Sequence, residues 1–134
     1  MTRVADVMTR NVVTVRNDAT LSEAMTYLAT QHISGAAVTD FKQRLVGVLS
    51  HSDILEAETE IAEAEARGRF LEETLVSEVM SSPALTIAPQ AELREAALAM
   101  EYGEVHRLFV EEDGNLVGVV SRSDVSRALA IGMV

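Results

Sequence analysis

LVGVLSHSD occupies residues 45–53, and LVGVVSRSD occupies residues 116–124. In both, an aliphatic run carrying one glycine ends in Ser-x-Ser-Asp. The aliphatic part reads as a β-strand, and serine followed closely by an acidic residue reads as the start of a helix. A strand that feeds straight into a helix, twice in one chain, points to an internal repeat. The match extends outward. With the chain shifted by 72 residues, VADVM (4–8) falls on VSEVM (76–80), Thr14 on Thr86 and Val38 on Val110. Ala19, Leu21, Glu23 and Ala24 fall on Ala91, Leu93, Glu95 and Ala96. One residue fewer in the next turn then brings 45–53 onto 116–124.

Each copy predicts the same elements. Residues 12–15 and 84–87 are short strands. A helix follows. In the first copy Thr20, with Glu23 three residues on, is a capping box, and Leu21, Ala24, Met25 and Leu28 form an apolar stripe. In the second, Pro89 sits ahead of the start, Leu93, Ala96, Ala97 and Met100 form the stripe, and Gly103 is the expected stop. Strands 35–39 and 45–50 flank a polar turn. Strands 108–111 and 116–121 flank Glu-Asp-Gly-Asn, a hairpin signal. A second helix is expected to begin at Ser52 and at Ser123, each as its N-cap.

The expected class is α/β (α+β), two β-α-β-β-α units at residues 1–57 and 76–134, joined by an acidic helical connector at 58–75. Seven glutamates (Glu56, Glu58, Glu60, Glu63, Glu65, Glu72 and Glu73) crowd residues 56–75 against Arg67 and Arg69. High helix propensity up to Gly68 predicts an extension of the preceding helix, then a turn and a return. Such a stretch is a solvated linker or a partner-docking arm.

Composition excludes several functions. The chain has 134 residues, 48% of them apolar and 4% aromatic, so its core is built from aliphatic residues. With no cysteine it has neither disulfides nor thiolate zinc sites. A net charge of −10 repels nucleic acid and anionic lipid. No apolar run approaches the roughly 20 residues of a membrane span. MTRVADVMTRN lacks the apolar stretch of a signal peptide, so a soluble, cytoplasmic protein is expected. His32, His51 and His106 lie far apart, so no metal site is expected. There is no phosphate-binding GxxxxGK[ST] loop. Ser50, His51, Ser52 and Asp53 are triad residue types, but they are contiguous and cannot converge as a triad does, so no enzyme is expected.

The Ser-x-Ser-Asp segments suggest recognition instead. Gly47 and Gly118 let a ligand or a backbone approach their strands. Ser50 and Ser121 close the strands. Ser52-Asp53 and Ser123-Asp124 sit at helix N-termini, whose free N–H groups and positive dipole end favour anions. Serine hydroxyls add donors, and a carboxylate accepts from the vicinal hydroxyls of a ribose. The plainer alternative is that these residues only cap their helices.

V-x-x-V-M, then T-V, a helix, a hydrophobic strand and L-V-G-V-L/V-S-x-S-D with a following helix resembles the CBS domain. Two in tandem resemble a CBS pair, also called a Bateman module, and the resemblance covers nearly the whole chain apart from the connector. It implies two sheets packed by pseudo-twofold symmetry, two clefts between them, and a homodimer in the form of a four-unit disc. It implies an adenosine-containing ligand and no obligatory cofactor: AMP, ADP or ATP first, with S-adenosylmethionine a further candidate. By the same resemblance, Asp53 and Asp124 hold ribose hydroxyls, and Ser50, Ser52, Ser121 and Ser123 contact phosphate. Thr14 and Thr86 then lie near the base, beside walls from Val12, Val13, Ala36, Ala37, Ala84, Leu85, Leu108 and Phe109. Met8 and Met80 read as packing residues.

His106-Arg107 resembles the His-Arg pair that binds phosphate in the regulatory gamma subunit of AMP-activated kinase. The matching positions of the first copy are Ser34 and Gly35. One strong phosphate site and one weaker or empty one are therefore expected. The alternative for Arg107 is a surface ion pair with one of the many carboxylates, and for His106 a structural histidine. Two other roles remain for the whole chain: a ligand-free dimerisation or interaction scaffold, and a regulator acting in trans on an enzyme or transporter.

Overall fold

Thr20 starts the first long helix by the reciprocal bonding its sequence predicts. The Glu23 N–H donates to Thr20 Oγ1 (3.1 Å), and the Thr20 N–H donates to Glu23 Oε1 (3.3 Å). In the computed structural model, which describes residues 1–132, the elements run α1 (Val4–Val7), β1 (Thr14–Arg16), α2 (Leu21–Thr30), β2 (Gly35–Thr39), β3 (Leu45–Ser50), α3 (His51–Glu58), α4 (Ala64–Glu73), a 3₁₀ turn (Val76–Glu78), β4 (Thr86–Ile87), α5 (Leu93–Gly103), β5 (Arg107–Glu112), β6 (Asn115–Ser121) and α6 (Arg122–Ala130). This is the mixed α/β class the repeat predicts, with two three-stranded sheets.

The two sheets are built alike. β1 runs parallel to β2 and β2 antiparallel to β3, and β4, β5 and β6 repeat the order. Thr14 lies opposite Ala37 and Thr86 opposite Phe109, while Gly35 faces Ser50 and Arg107 faces Ser121. Leu21, Ala24 and Leu28 of α2 are buried with Val38, Leu49, Ile54 and Val76 in one core. Leu93, Ala96 and Met100 of α5 are buried with Val4, Leu108, Val110, Val120 and Ala128 in the other. Truncating one such Leu to Ala costs about 2–5 kcal/mol. Both helices end on a left-handed residue, His32 (φ 55°) and Glu104 (φ 54°). Gly103 is therefore not the stop; it is the last helical residue. A Cβ there would lie 2.7 Å from Leu85 Cδ1, the free end of an exposed side chain.

Spatial units and sequence repeats divide the chain differently. One compact unit is Val13–Ala84, called here the first unit. The second joins Met1–Val12 to the residues from Leu85 onward. Each repeat's opening segment thus packs onto the strands and helices of the other repeat, and the bonds match pair by pair. Leu21 N–H donates to the Thr74 carbonyl, as Leu93 N–H does to that of Thr2; Val76 N–H donates to Ala19, as Val4 N–H does to Ala91. Val48 exchanges two backbone bonds with Ser81 (2.9 Å each), and Val119 two with Thr9 (2.9 and 2.8 Å).

The strand glycines follow from this exchange. A Cβ on Gly47 would lie 2.7 Å from the Ser81 carbonyl and 2.8 Å from Met80 Sδ. One on Gly118 would lie 2.6 Å from Met8 Sδ and 3.0 Å from the Thr9 carbonyl. Of the two approaches the sequence left open, the backbone's is the one made. Met80 and Met8 pack against the first and second cores respectively.

The connector departs from its expected form. α3 stops at Glu58, where the Ile61 N–H turns back to the Glu58 carbonyl. A separate helix, α4, then runs through Gly68, which has open space around it. Helical glycine there costs about 1 kcal/mol relative to Ala. Phe70 and Leu71 pack on the first core, and that anchoring holds the helix across the glycine. In the turn from β2 to β3, the Asp40 carboxylate accepts the Arg44 and Lys42 N–H groups, and these bonds lower its pKa below the usual carboxylate value.

Candidate functional site

In the first unit, β3 hands over directly to α3. Ser50 is the N-cap, in extended conformation (φ −124°, ψ 161°). Its Oγ accepts the Asp53 N–H (3.1 Å), and Asp53 Oδ2 accepts the Ser50 N–H (3.0 Å). This corrects the expected start. The helices begin at His51 and Arg122, and Ser50 and Ser121 are the caps, not Ser52 and Ser123. The reason is spacing. A capping box needs an acidic residue or Gln three places after the hydroxyl, and Asp53 and Asp124 stand three places after Ser50 and Ser121. Three places after Ser52 and Ser123 stand Leu55 and Ser126. The remaining carboxylate oxygen, Asp53 Oδ1, accepts the Ser81 hydroxyl at 3.2 Å. Ser34 joins the site through its carbonyl, which takes the His51 N–H (2.9 Å), and Gly35 faces Ser50 across the strand pair. Thr14 sits on β1 opposite Ala37, two residues along from Gly35.

The second unit repeats this frame. Asp124 Oδ2 accepts the Ser121 N–H (2.8 Å), Ser121 Oγ accepts the Asp124 N–H (3.2 Å), and the Arg122 N–H donates to the His106 carbonyl (2.9 Å). What differs is the charge around it. Arg127 Nη2 lies 2.6 Å from Asp124 Oδ1, with the carboxylate side chain 9% exposed and the arginine 74% exposed. Asp124, Arg127, Val7, Ala128 and Ile131 line a cavity of about 180 Å³. Arg107 opens β5 opposite Ser121. His106 and Arg107 are exposed, and Arg107 forms no ion pair among the described residues, so the surface-pair alternative is not realised. By the repeat alignment, Gly35, His51 and Glu56 of the first copy correspond to Arg107, Arg122 and Arg127 of the second.

Each frame brings its Ser and Asp together and leaves other expected residues outside that bonding. Ser52 and Ser123 are exposed at the second helical position, and Thr86 is exposed on β4. Of the expected base walls, Ala36, Ala37, Leu108 and Phe109 are buried, Val12, Val13 and Ala84 half-buried, and Leu85 exposed. Two residues escaped the sequence reading. Arg127 could have been found, since it lies three positions after Asp124 on a helix. Ser81 could not, since only the exchange of opening segments brings it to Asp53. Among the described residues there is no group of three or more His, Cys, Asp or Glu placed to hold a metal ion. No described helix is long and apolar enough to cross a membrane.

The model of the family described as "CBS domain" matches residues 4–60 and 76–131. The CBS domain-containing protein YhcV of Bacillus subtilis is 35% identical over 126 residues, which cover 94% of this chain and 84% of that protein. Protein MJ1232 of Methanocaldococcus jannaschii is 32% identical over 129 residues; the match covers 96% of this chain, which spans only 40% of that relative's length. Among solved structures, CBSX2 of Arabidopsis thaliana in complex with AMP superposes with a TM-score of 0.82 at 26% identity, each chain covered in full.

Proposed function

The chain belongs to the CBS domain family, as two CBS domains in tandem, and from that premise we propose that it is a non-catalytic sensor of an adenosine-containing ligand, AMP, ADP or ATP foremost. The observation that carries the reading is the pair of helix-start carboxylates, Asp53 and Asp124, each fixed by its own capping box next to an N-terminal dipole. A carboxylate has about four lone-pair directions, so one used by the cap leaves capacity for ribose hydroxyls. Ser50, Ser52, Ser121 and Ser123, with the amides of the first turns, supply donors for phosphate. Arg107 adds a cation with no partner among the described residues, and its planar fork suits phosphate. His106 stands beside it, and Ser34 and Gly35 are the uncharged counterparts of the pair. Thr14 and Thr86 are assigned to the base. The AMP held by CBSX2, a relative of the same length, supports the ligand class.

Ligand binding shifts the populations of two states only if they differ in affinity. The output would pass to a homodimer or to an enzyme or transporter regulated in trans. A second reading, a ligand-free scaffold, is favoured by one observation: both carboxylates already have partners without any ligand. Thermal unfolding separates the two. A ligand at 100 times its dissociation constant stabilises the native state by about 2.7 kcal/mol. AMP, ADP or ATP should raise the unfolding temperature, and Asp124→Asn should remove most of the rise. No shift with any adenosine compound would leave the scaffold.

A further inference from the structure

Resting on the adenosine reading, we infer that Arg127 sets the ligand preference of the second unit. It guards Asp124, so that this site selects phosphorylated over uncharged adenosine compounds, while the first unit, unguarded, takes uncharged or cationic ones. The two partners of this ion pair are not equally free. Asp124 is pinned through Oδ2 to its own cap and is 9% exposed, whereas Arg127 is 74% exposed and rotates into water. A ribose hydroxyl approaching Oδ1 therefore competes with the guanidinium, and it is the guanidinium that yields. An uncharged ligand replaces this ion pair by a bond from a neutral hydroxyl to the carboxylate and leaves Arg127 without an anion. A ligand with a phosphate offers Arg127 a second anion, so the pairing is exchanged, not lost. Arg107, opposite Ser121 in register, places another cation at the same end of the sheet.

The first unit reverses each term. Asp53 Oδ1 meets only the neutral Ser81 hydroxyl, at 3.2 Å. Glu56 stands where Arg127 does, and Gly35 where Arg107 does. An exposed carboxylate repels phosphate and does not repel an uncharged nucleoside or a sulfonium such as that of S-adenosylmethionine.

The test is a titration with AMP and with adenosine, followed through the backbone amide resonances of Ser50, Asp53, Ser121 and Asp124, which report the two units separately. In the native chain the Ser121 and Asp124 amides should respond to AMP at about tenfold lower concentration than to adenosine, and those of Ser50 and Asp53 should show at most about a threefold preference. Arg127→Met should bring the second unit's preference below about threefold, Arg127→Lys should keep most of it, and Glu56→Arg should create one in the first unit. An unchanged preference in Arg127→Met, with AMP still binding at Asp124, overturns the role of Arg127 and leaves the adenosine reading standing. A native chain in which neither compound moves any of the four amides overturns both.

Discussion

The starts of α3 and α6 have the same backbone and different charges. Both follow an aliphatic strand with a glycine three residues before the cap, both close a Ser–Asp capping box, and both draw a carbonyl from the loop ahead of the neighbouring strand onto their first N–H. Around α6 stand Arg107, Arg122 and Arg127; at the matching places around α3 stand Gly35, His51 and Glu56. A duplicated unit thus keeps what the backbone needs and varies what a ligand would meet. The features common to both copies report folding, and those that differ are where the proposed preference between ligands would reside.

The comparison can be broken hardest at the exchange of opening segments. A fragment of residues 13–84 retains its own packing segment and should fold cooperatively by circular dichroism. A fragment of residues 1–57, one sequence repeat, lacks Val76 and the strand partner of Val48, and should show no cooperative transition. The glycines give a smaller and graded contrast. Gly47→Ala meets a backbone carbonyl and should cost about 2–3 kcal/mol in urea unfolding, whereas Gly118→Ala meets first a flexible methionine and should cost about 1 kcal/mol. Equal costs would mean that the two crossings are not built as described. The caps should show no contrast: Ser50→Ala and Ser121→Ala should each cost about 1 kcal/mol, and a large difference would break the equivalence of the two helix starts.

Strands β2 and β3 could be read to the residue because their aliphatic runs are bounded by polar turn residues, and the repeat made each copy a check on the other. The connector could not. Gly68 looks like a stop in sequence, but its surroundings are open and Phe70 and Leu71 anchor the helix beyond it. The helix starts were misplaced by two residues although the signal was present: the three-residue step from Ser50 to Asp53 marks the cap, and Ser52 lacks it. The exchange of segments is a tertiary fact. Local pattern says that residues 4–8 and 76–80 are alike, not which strands they cover, so Ser81 beside Asp53 had no local signature. The unlike charges, by contrast, were legible at Arg107 because the repeat supplied Gly35 for comparison, and the same alignment yields Arg127 against Glu56.

Unequal binding of an adenosine-containing ligand at the two units is directly visible to titration calorimetry with AMP. Titration should find one site of higher affinity that weakens about threefold in Arg107→Ala, together with a weaker or silent second site. Two equal sites, or an affinity indifferent to Arg107, would contradict the proposal.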